Sequence, residues 1–317
     1  MAFPKKIIIA EQAPRDGWQN WKTQIPAETK VKYIKKMIDC GTQRMEVTSY
    51  VSPKWVPQLA DSDIITKESL EYVKDKPGVM LTALTLNSKG VERAISLGMK
   101  NVCFVISASN AHNMRNSNKP TLDCIADFEN MVNMYSDKGL NIQLAIACAF
   151  GSPFNEEIVP EEVVKICQVA LSHGITSIGL GDSAGMSTPL NTRRMLEAIL
   201  PHTGADAISI HLHDTRGMAL ANCFVSMELG VSNFDASLGG MGGCPYIPGA
   251  KGNVATEDVV YMAENMGIST GYDLDKLIDL SLEMTDELGA PLVASQASIR
   301  RNKCLAEAEK AAKAAKE

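Results

Sequence analysis

The sequence predicts an α/β protein, a closed (β/α)8 TIM barrel with a C-terminal helical extension. Two observations lead to this fold class. Short apolar runs rich in β-branched residues occur eight times along the chain, and helix-patterned stretches separate them. Several of these stretches end just before a glycine, as helices with a left-handed C-terminal residue do. Eight strands that alternate with helices favour a closed barrel, because open doubly wound sheets usually have fewer strands.

The elements follow one another in a regular order. We predict strands at residues 6–11, 44–49, 79–84, 101–107, 141–147, 177–181, 207–213 and 233–238. Between them we predict helices at residues 27–40, 89–97, 121–138, 161–173, 189–200 and 218–229. The glycines that we expect to end five of these helices are Gly41, Gly98, Gly139, Gly174 and Gly230.

The pattern after Asn253 is helical only. We predict helices at residues 257–266, 274–288 and 299–316, and the last is low in complexity and expected to be exposed to solvent. The chain is therefore predicted to consist of a catalytic barrel, residues 1–255, and a helical extension, residues 256–317, that packs on the barrel.

The composition argues against several classes of protein. A formal net charge of −6 over 317 residues is unlike that of a nucleic-acid-binding protein. No apolar run is long enough for a membrane span, and the N-terminus does not resemble a secretory signal. The eight cysteines include no C-x-x-C pair, so we expect neither a disulfide scaffold nor a thiolate zinc site, and we predict a cytoplasmic protein.

Two histidines at the end of the seventh predicted strand indicate a metal site. Residues two apart on a strand face the same side, so His211 and His213 can bind one ion. Asp16, after the first strand, and the amide oxygen of Asn253 would complete the ligand set. This set suits Mg²⁺ or Mn²⁺, or else Co²⁺ or Zn²⁺, better than a structural tetrahedral zinc. The alternative is that the histidines are hydrogen-bonded core residues.

Arg15 precedes Asp16, and adjacent residues of an extended strand face opposite ways. We therefore expect a turn between Pro14 and Gly17 that directs both side chains to the site. Arg15 can then stabilise negative charge on a carbonyl oxygen, or form a structural ion pair with Glu46. Glu46 is either a catalytic carboxylate or the residue that aligns Arg15, and both interpretations stay open.

A glycine-rich segment, residues 239–252, follows the eighth strand. We predict a lid that closes over a ligand, with Cys244 as a thiol for proton transfer. The alternatives are a dinucleotide-binding loop, which would need a helix starting within the glycines, and a buried structural cysteine. Lysines and an arginine on loops at the same face can contact phosphates or be ordinary surface charges; they are Lys54, Arg115, Lys119 and Lys251.

Four motifs, in the same order, resemble those of 3-hydroxy-3-methylglutaryl-CoA lyases. They are RDGWQN from Arg15, MEVTSYVSPKWVPQLAD from Met45, HLHDT from His211 and GGCPY from Gly242. The resemblance covers the chain from about residue 6 to about residue 300. It extends to the wider group of metal-dependent TIM-barrel lyases and synthases.

The resemblance implies a divalent-metal-dependent retro-Claisen cleavage of 3-hydroxy-3-methylglutaryl-CoA to acetyl-CoA and acetoacetate. The partner is then an acyl-CoA thioester, with Lys251 and Lys54 as candidate contacts to CoA or substrate, and a homodimer is the default assembly. The implied metal ligands are Asp16, His211, His213 and Asn253, and the implied catalytic residues are Arg15, Asp16, Glu46, Asp182 and Cys244.

Four positions depart from the family pattern. Trp18 and Gly179 are expected to change the volume of the pocket, whereas Arg216 and Lys251 add positive charge near the site. The substrate alternative is therefore a related 3-hydroxyacyl-CoA, such as citramalyl-CoA or a longer-chain analogue. Three rival functions are a condensing synthase, a catalytically silent CoA- or metal-binding barrel and a nucleotide-dependent oxidoreductase.

Overall fold

The predicted barrel is present in the computed structural model, which describes residues 3–243 and 251–315. Eight parallel strands pair in chain order, and β8 pairs back to β1. Every strand lies where the sequence predicts it, with ends that shift by no more than two residues. The strands are β1 Ile8–Glu11, β2 Arg44–Ser49, β3 Met80–Thr85, β4 Asn101–Ser107, β5 Asn141–Ala147, β6 Ile178–Asp182, β7 Ile208–Leu212 and β8 Asn233–Ala236.

Helices surround the barrel. They are α1 Ala27–Asp39, α2 Ser62–Val73, α3 Ser88–Ser96, α4 Asn110–Asn116, α5 Thr121–Tyr135, α6 Pro160–Ser172, α7 Pro189–Thr203, α8 Ala219–Glu228, α9 Thr256–Asn265, α10 Leu274–Leu288 and α11 Ser295–Ala314. The prediction lacked α2 and α4. The buried face of α2 includes Ser62, Thr66 and Ser69 and so has a weak apolar periodicity, and α4 has only 7 residues. In the ranges that the structure describes, no helix combines the length and the apolar character of a membrane span.

The two faces of the strands have different surroundings. On β7, Ile208, Ile210 and Leu212 are buried, whereas Ser209 and His211 alternate with them and stay partly accessible. Strands β1 and β8 show the same alternation. In a filled barrel the inward side chains pack against one another and are buried too. The interior of this barrel is therefore open to a cavity, and that cavity leads to the site.

The glycines after the helices have the conformations that the sequence predicts. All five have positive φ, and Gly41, after α1, has a φ of +111°. A Cβ on Gly41 would lie 2.3 Å from the carbonyl oxygen of Gly271. A larger residue at position 41 would therefore force α1 and the segment before α10 apart.

Three helices follow residue 255, where we place the boundary of the barrel. Helix α9 comes after β8 and packs against α8 and α10. Helix α10 buries Leu277, Leu280 and Met284 and also contacts α1. Along α11, Ala297 is the buried residue and the rest of the described helix is largely accessible, as expected for a solvated helix.

Candidate metal centre

The chain turns sharply after β1. Residues Ala13–Gly17 form a π-helical turn, in which the amide of Gly17 donates to the carbonyl of Gln12 over 3.0 Å. This is the turn that the sequence predicts, and it brings both Arg15 and Asp16 to the wall of the cavity. A Cβ on Gly17 would lie 3.0 Å from Oγ of Ser237. Glycine therefore lets the turn approach the segment that follows β8.

The two histidines and two distant residues form one cluster. The Nε2 atoms of His211 and His213 are 3.3 Å apart. His213 pairs in an antiparallel bridge with Asn253, and Nδ2 of Asn253 donates to Oδ2 of Asp16 over 2.7 Å. The same Asp16 oxygen is 3.4 Å from Nε2 of His213. The fold thus brings together residues that are as many as 237 positions apart in the chain.

The cluster fits a divalent cation. One ligand atom from each of Asp16, His211 and His213 lies within 4.8 Å of the other two. Oδ1 of Asn253 is buried and has no hydrogen-bond partner among the described residues. An unpaired buried oxygen is costly unless a ligand satisfies it. Two imidazoles, a carboxylate and this amide oxygen together form a donor set that suits a divalent cation.

Asp235 on β8 supports the orientation of His211. Its Oδ2 lies 3.1 Å from Nδ1 of His211, and the strand register pairs the two residues. Burial lowers the pKa of His211, but the hydrogen bond and the charge of Asp235 raise this pKa above its usual value. A carboxylate on one imidazole nitrogen directs the other towards an ion. Sequence analysis missed Asp235, although an acidic residue on an apolar strand next to β7 was a usable signal.

Arg15 connects two carboxylates at the cavity wall. Nη1 of Arg15 donates to Oδ1 of Asp16 over 2.7 Å, and Nε donates to Oε2 of Glu46 over 2.8 Å. Burial raises the pKa of Asp16, but Arg15 and the two histidines hold it far below its usual range. Burial raises the pKa of Glu46, and Arg15 offsets this only in part. The ion pair that the sequence allowed is present, and Arg15 lines the cavity as well.

Asp182 makes its hydrogen bonds outside this cluster. It is the last residue of β6, and its carboxylate accepts the backbone N–H groups of Met186 and Ser187, each over 2.8 Å. Burial raises the pKa of Asp182, and these two hydrogen bonds lower it. These hydrogen bonds of Asp182 fix the conformation of the loop before α7.

The remaining predicted residues differ in position. Lys54 and Lys251 are exposed and do not line the cavity in the described part of the chain. Arg115 and Lys119 do line it, and the Arg115 guanidinium is 4.0 Å from the centroid of the Phe154 ring. Cys244 lies outside the described residues.

The positions that depart from the family pattern also lie in different parts of the molecule. Gly179 lines the cavity, as expected. The expectation for Trp18 is wrong, since this side chain is fully buried in the hydrophobic core and does not line the cavity. Arg216 donates to the carbonyls of Ala184 and Gly185 and so ties down a neighbouring loop.

The cavity has a volume of about 990 Å³. It extends from the loops after the strands, at Trp55 and Arg115, past the cluster of Asp16, His211 and His213. It then continues between the strands, where Thr82, Gln143 and Ser209 line it. The arrangement can therefore hold a ligand that is long, with one end at the cluster and the other end at the surface.

Two buried carboxylates hold the chain around the cluster. Glu11 accepts the amides of Ala13 and Leu238, over 2.8 and 2.9 Å, and the hydroxyl of Thr256. Glu257 accepts the amide of Gly239 over 3.1 Å and a hydroxyl on α10. Burial raises the pKa of each to about 7. Together they connect β1, the segment after β8 and α9, and sequence analysis missed them because both lie in apolar surroundings.

Comparisons with known proteins agree with this geometry. The HMGL-like family matches residues 6–283. A hydroxymethylglutaryl-CoA lyase of Bacillus subtilis is 37% identical over 292 residues, which are 92% of this chain and 96% of that protein. A crystal structure of the HMG-CoA lyase of the same species superposes with a TM-score of 0.90 at 36% identity, covering 95% of this chain and 100% of the other. An HMG-CoA lyase from Acinetobacter baumannii, in complex with coenzyme A and 3-methylmalate, superposes with a TM-score of 0.88 at 34% identity over 94% of this chain and 96% of the other.

Proposed function

The chain belongs to the HMGL-like family, and we propose that it cleaves 3-hydroxy-3-methylglutaryl-CoA to acetyl-CoA and acetoacetate. It is a carbon–carbon lyase. One observation supports the proposal most directly. Asp16, His211 and His213 converge beside Arg15 at the wall of a cavity that reaches the surface.

The reaction is a retro-Claisen cleavage that needs no oxidant or reductant. A base removes the proton of the tertiary hydroxyl on C3, the bond between C2 and C3 breaks, and C3 becomes the ketone carbon of acetoacetate. The electron pair of the broken bond remains on C2 as the enolate of the thioester. A proton delivered to C2 then gives acetyl-CoA.

Asp16, His211, His213 and Asn253 would hold the divalent cation. As a Lewis acid, this cation lowers the pKa of the substrate hydroxyl when it is bound. Mg²⁺ or Mn²⁺ is our first choice because two of the four protein ligands are oxygens, and Co²⁺ or Zn²⁺ is the alternative.

Arg15 has a donor available for the substrate. Its guanidinium has five N–H groups, and contacts to Asp16, Glu46 and Gln12 account for all but one on Nη1 among the described residues. This remaining N–H can hold the thioester oxygen on which negative charge develops. Glu46 fixes Arg15 through Oε2, while its buried Oε1 has no partner within the described ranges. Glu46 can therefore both align Arg15 and contact the substrate.

Further roles follow from the family likeness. We propose that Cys244 delivers the proton to C2, that Asp182 supports the substrate and the groups around it, and that Lys251 and Lys54 attract the phosphates of CoA. We also propose a cytoplasmic homodimer, which light scattering on the purified protein and fractionation of the source cells would test.

The direct test is turnover. Purified protein with Mg²⁺ or Mn²⁺ should release acetyl-CoA and acetoacetate from 3-hydroxy-3-methylglutaryl-CoA in equal amounts, and a chelator should stop the reaction. Citramalyl-CoA, assayed in parallel, tests the alternative substrate. Absence of turnover on both esters with either metal would favour the silent CoA-binding barrel and contradict the proposal.

A further inference from the structure

We propose that the barrel interior below the metal centre is a pocket for the fourth substituent on C3 of the substrate, and that it accepts a chain longer than methyl that carries a hydrogen-bond acceptor. We define this interior pocket by Thr82, Gln143, Ala145, Gly179 and Ser209, all of which line the cavity. The inference rests on the proposed function and specifies its substrate class.

The chemistry of C3 determines which group enters the barrel. C3 is tetrahedral. Its hydroxyl and its carboxylate-bearing arm are directed to the cluster of Asp16, His211 and His213. The arm that leads to CoA must run to the surface, because an adenosine diphosphate group is too large for the interior of a closed barrel. The fourth substituent then points towards the interior.

One wall of the interior pocket consists of small residues. The strand register places Gly179 between Ala145 on β5 and Ser209 on β7. Barrels of this class usually fill such layers with bulky branched side chains. Because these three residues are small, space remains directly below His211, which lies two residues beyond Ser209 on the same face of β7.

The pocket also contains unpaired polar groups. Thr82 is only 6% exposed and lines the cavity, and its hydroxyl has no hydrogen-bond partner in the described ranges. The hydroxyl of Ser209 and the side-chain amide of Gln143, both half-buried at the cavity, also have no hydrogen-bond partner in the described ranges. Strand pairing places Thr82 next to Glu46, whose Oε1 is buried and unpaired among the described residues. Thr82 is the most deeply buried of the three, and polar groups that face a cavity without a partner in the protein can bind a ligand that has hydrogen-bonding atoms. A methyl group offers none of them a hydrogen bond.

The pocket is deep enough for a chain. Gly181 pairs with His211 and so marks the level of the cluster. Ser177, four residues earlier in the chain, also lines the cavity. Four residues of strand span about 13 Å. Arg44 and Asn233, which are hydrogen-bonded over 3.2 Å, lie at the far end. A substituent of four atoms therefore fits between His211 and this end.

Two isosteric substrates test the proposal. One is 3-hydroxy-3-butylglutaryl-CoA, and the other is 3-hydroxy-3-(2-methoxyethyl)glutaryl-CoA, in which an ether oxygen replaces one methylene. We expect the wild-type protein to cleave both, with kcat/KM for the ether about three- to tenfold higher, because the ether accepts one hydrogen bond that the alkyl chain cannot. The corresponding CoA thioethers, which are not cleaved, should show the same preference in calorimetric binding.

Variants connect the effect to the pocket. Ser209→Ala or Thr82→Val should reduce the preference for the ether. Gly179→Ala should lower kcat/KM for the butyl substrate about tenfold more than kcat/KM for the methyl substrate. The reason is that a Cβ there would lie 3.2 Å from Oγ of Ser209 and occupy the pocket. Gly78→Ala is the matched control, since Gly78 is exposed and a Cβ there would have no atom of the described residues within 4 Å.

The outcomes separate this inference from the proposed function. Cleavage of the methyl substrate with no cleavage or binding of the longer analogues would overturn the inference and leave the proposed function intact. Equal rates and affinities for butyl and methoxyethyl would overturn its polar part. Absence of turnover on every ester would instead contradict the proposed function.

Discussion

The cluster of Asp16, His211 and His213 and the buried pair of Glu11 and Glu257 lie at the same end of the barrel but differ in their partners. In the cluster, Asp16 contacts the guanidinium of Arg15 and the imidazole of His213. Among the residues that the structure describes, Glu11 and Glu257 accept hydrogen bonds from amides and hydroxyls only, and neither lines the cavity. The pKa of Asp16 is accordingly held far below its usual range, whereas burial raises the other two pKa values to about 7.

The difference shows that burial alone does not determine the charge of a carboxyl group. A cation nearby stabilises the ionised form, and without one the cost of desolvation dominates. Asp16 is thus ready to bind an ion, while Glu11 and Glu257 join segments of the fold. The following experiments, from the largest expected effect to the smallest, test this separation of chemistry from structure.

Removal of the two imidazoles should have the largest effect. In the protein with both His211→Ala and His213→Ala, we expect the bound metal to be lost and turnover to fall by about 10⁴ or more, because the ligands act as one unit. Metal analysis and the acetyl-CoA assay measure these two effects. His202→Ala, at an exposed position, is the control. Unchanged metal content in the double variant would show that the cluster is not the metal site.

Cys244→Ala tests the chemistry without touching the metal ligands. We expect unchanged folding and metal content and a loss of about 10²- to 10⁴-fold in kcat, which is the usual contribution of a positioned proton donor. Steady-state kinetics and circular dichroism measure these effects, and Cys304→Ala, at an exposed cysteine, serves for comparison. Near-normal turnover would remove Cys244 from the mechanism.

Glu11→Gln should change stability in a pH-dependent way. A carboxyl group whose pKa is about 7 when folded, against an ordinary value of 4.5, binds its proton more tightly in the folded state. The wild-type protein should therefore lose about 3 kcal/mol of unfolding free energy relative to the Gln variant as the pH rises from about 4.5 to 7, and nothing more above that.

Urea unfolding at several pH values measures this difference. Glu28→Gln, at an exposed position on α1, is the matched control. If the wild-type protein instead gained stability relative to Glu11→Gln over this range, Glu11 would belong with Asp16 and the comparison would fail.

Lys251→Ala should have the smallest effect. We expect KM for the CoA ester to rise about two- to fivefold with kcat unchanged, because an exposed charge contributes little. Inhibition by a CoA-free substrate analogue should be unaffected, and Lys310→Ala on α11 is the control. An equal loss for the CoA-free analogue would rule out a role in phosphate binding.

Much of the site follows from local patterns in the sequence. The spacing of His211 and His213 places both on one face of a strand, and Pro14 and Gly17 indicate the turn that directs Asp16 to them. Partners on other strands do not follow in this way. Asp235 supports His211 only because β7 and β8 pair in one particular register.

The sequence by itself determined the order of the strands, the glycines that end the helices and the spacing that puts His211 and His213 on one face, because each depends on short-range pattern. Only the tertiary structure decided that the barrel interior is open, that Trp18 lies in the core, and that Glu11 and Glu257 join the segments around the cluster. These properties depend on which side chains meet across the barrel. Closure and register determine that, and neither is encoded in any one stretch of the chain.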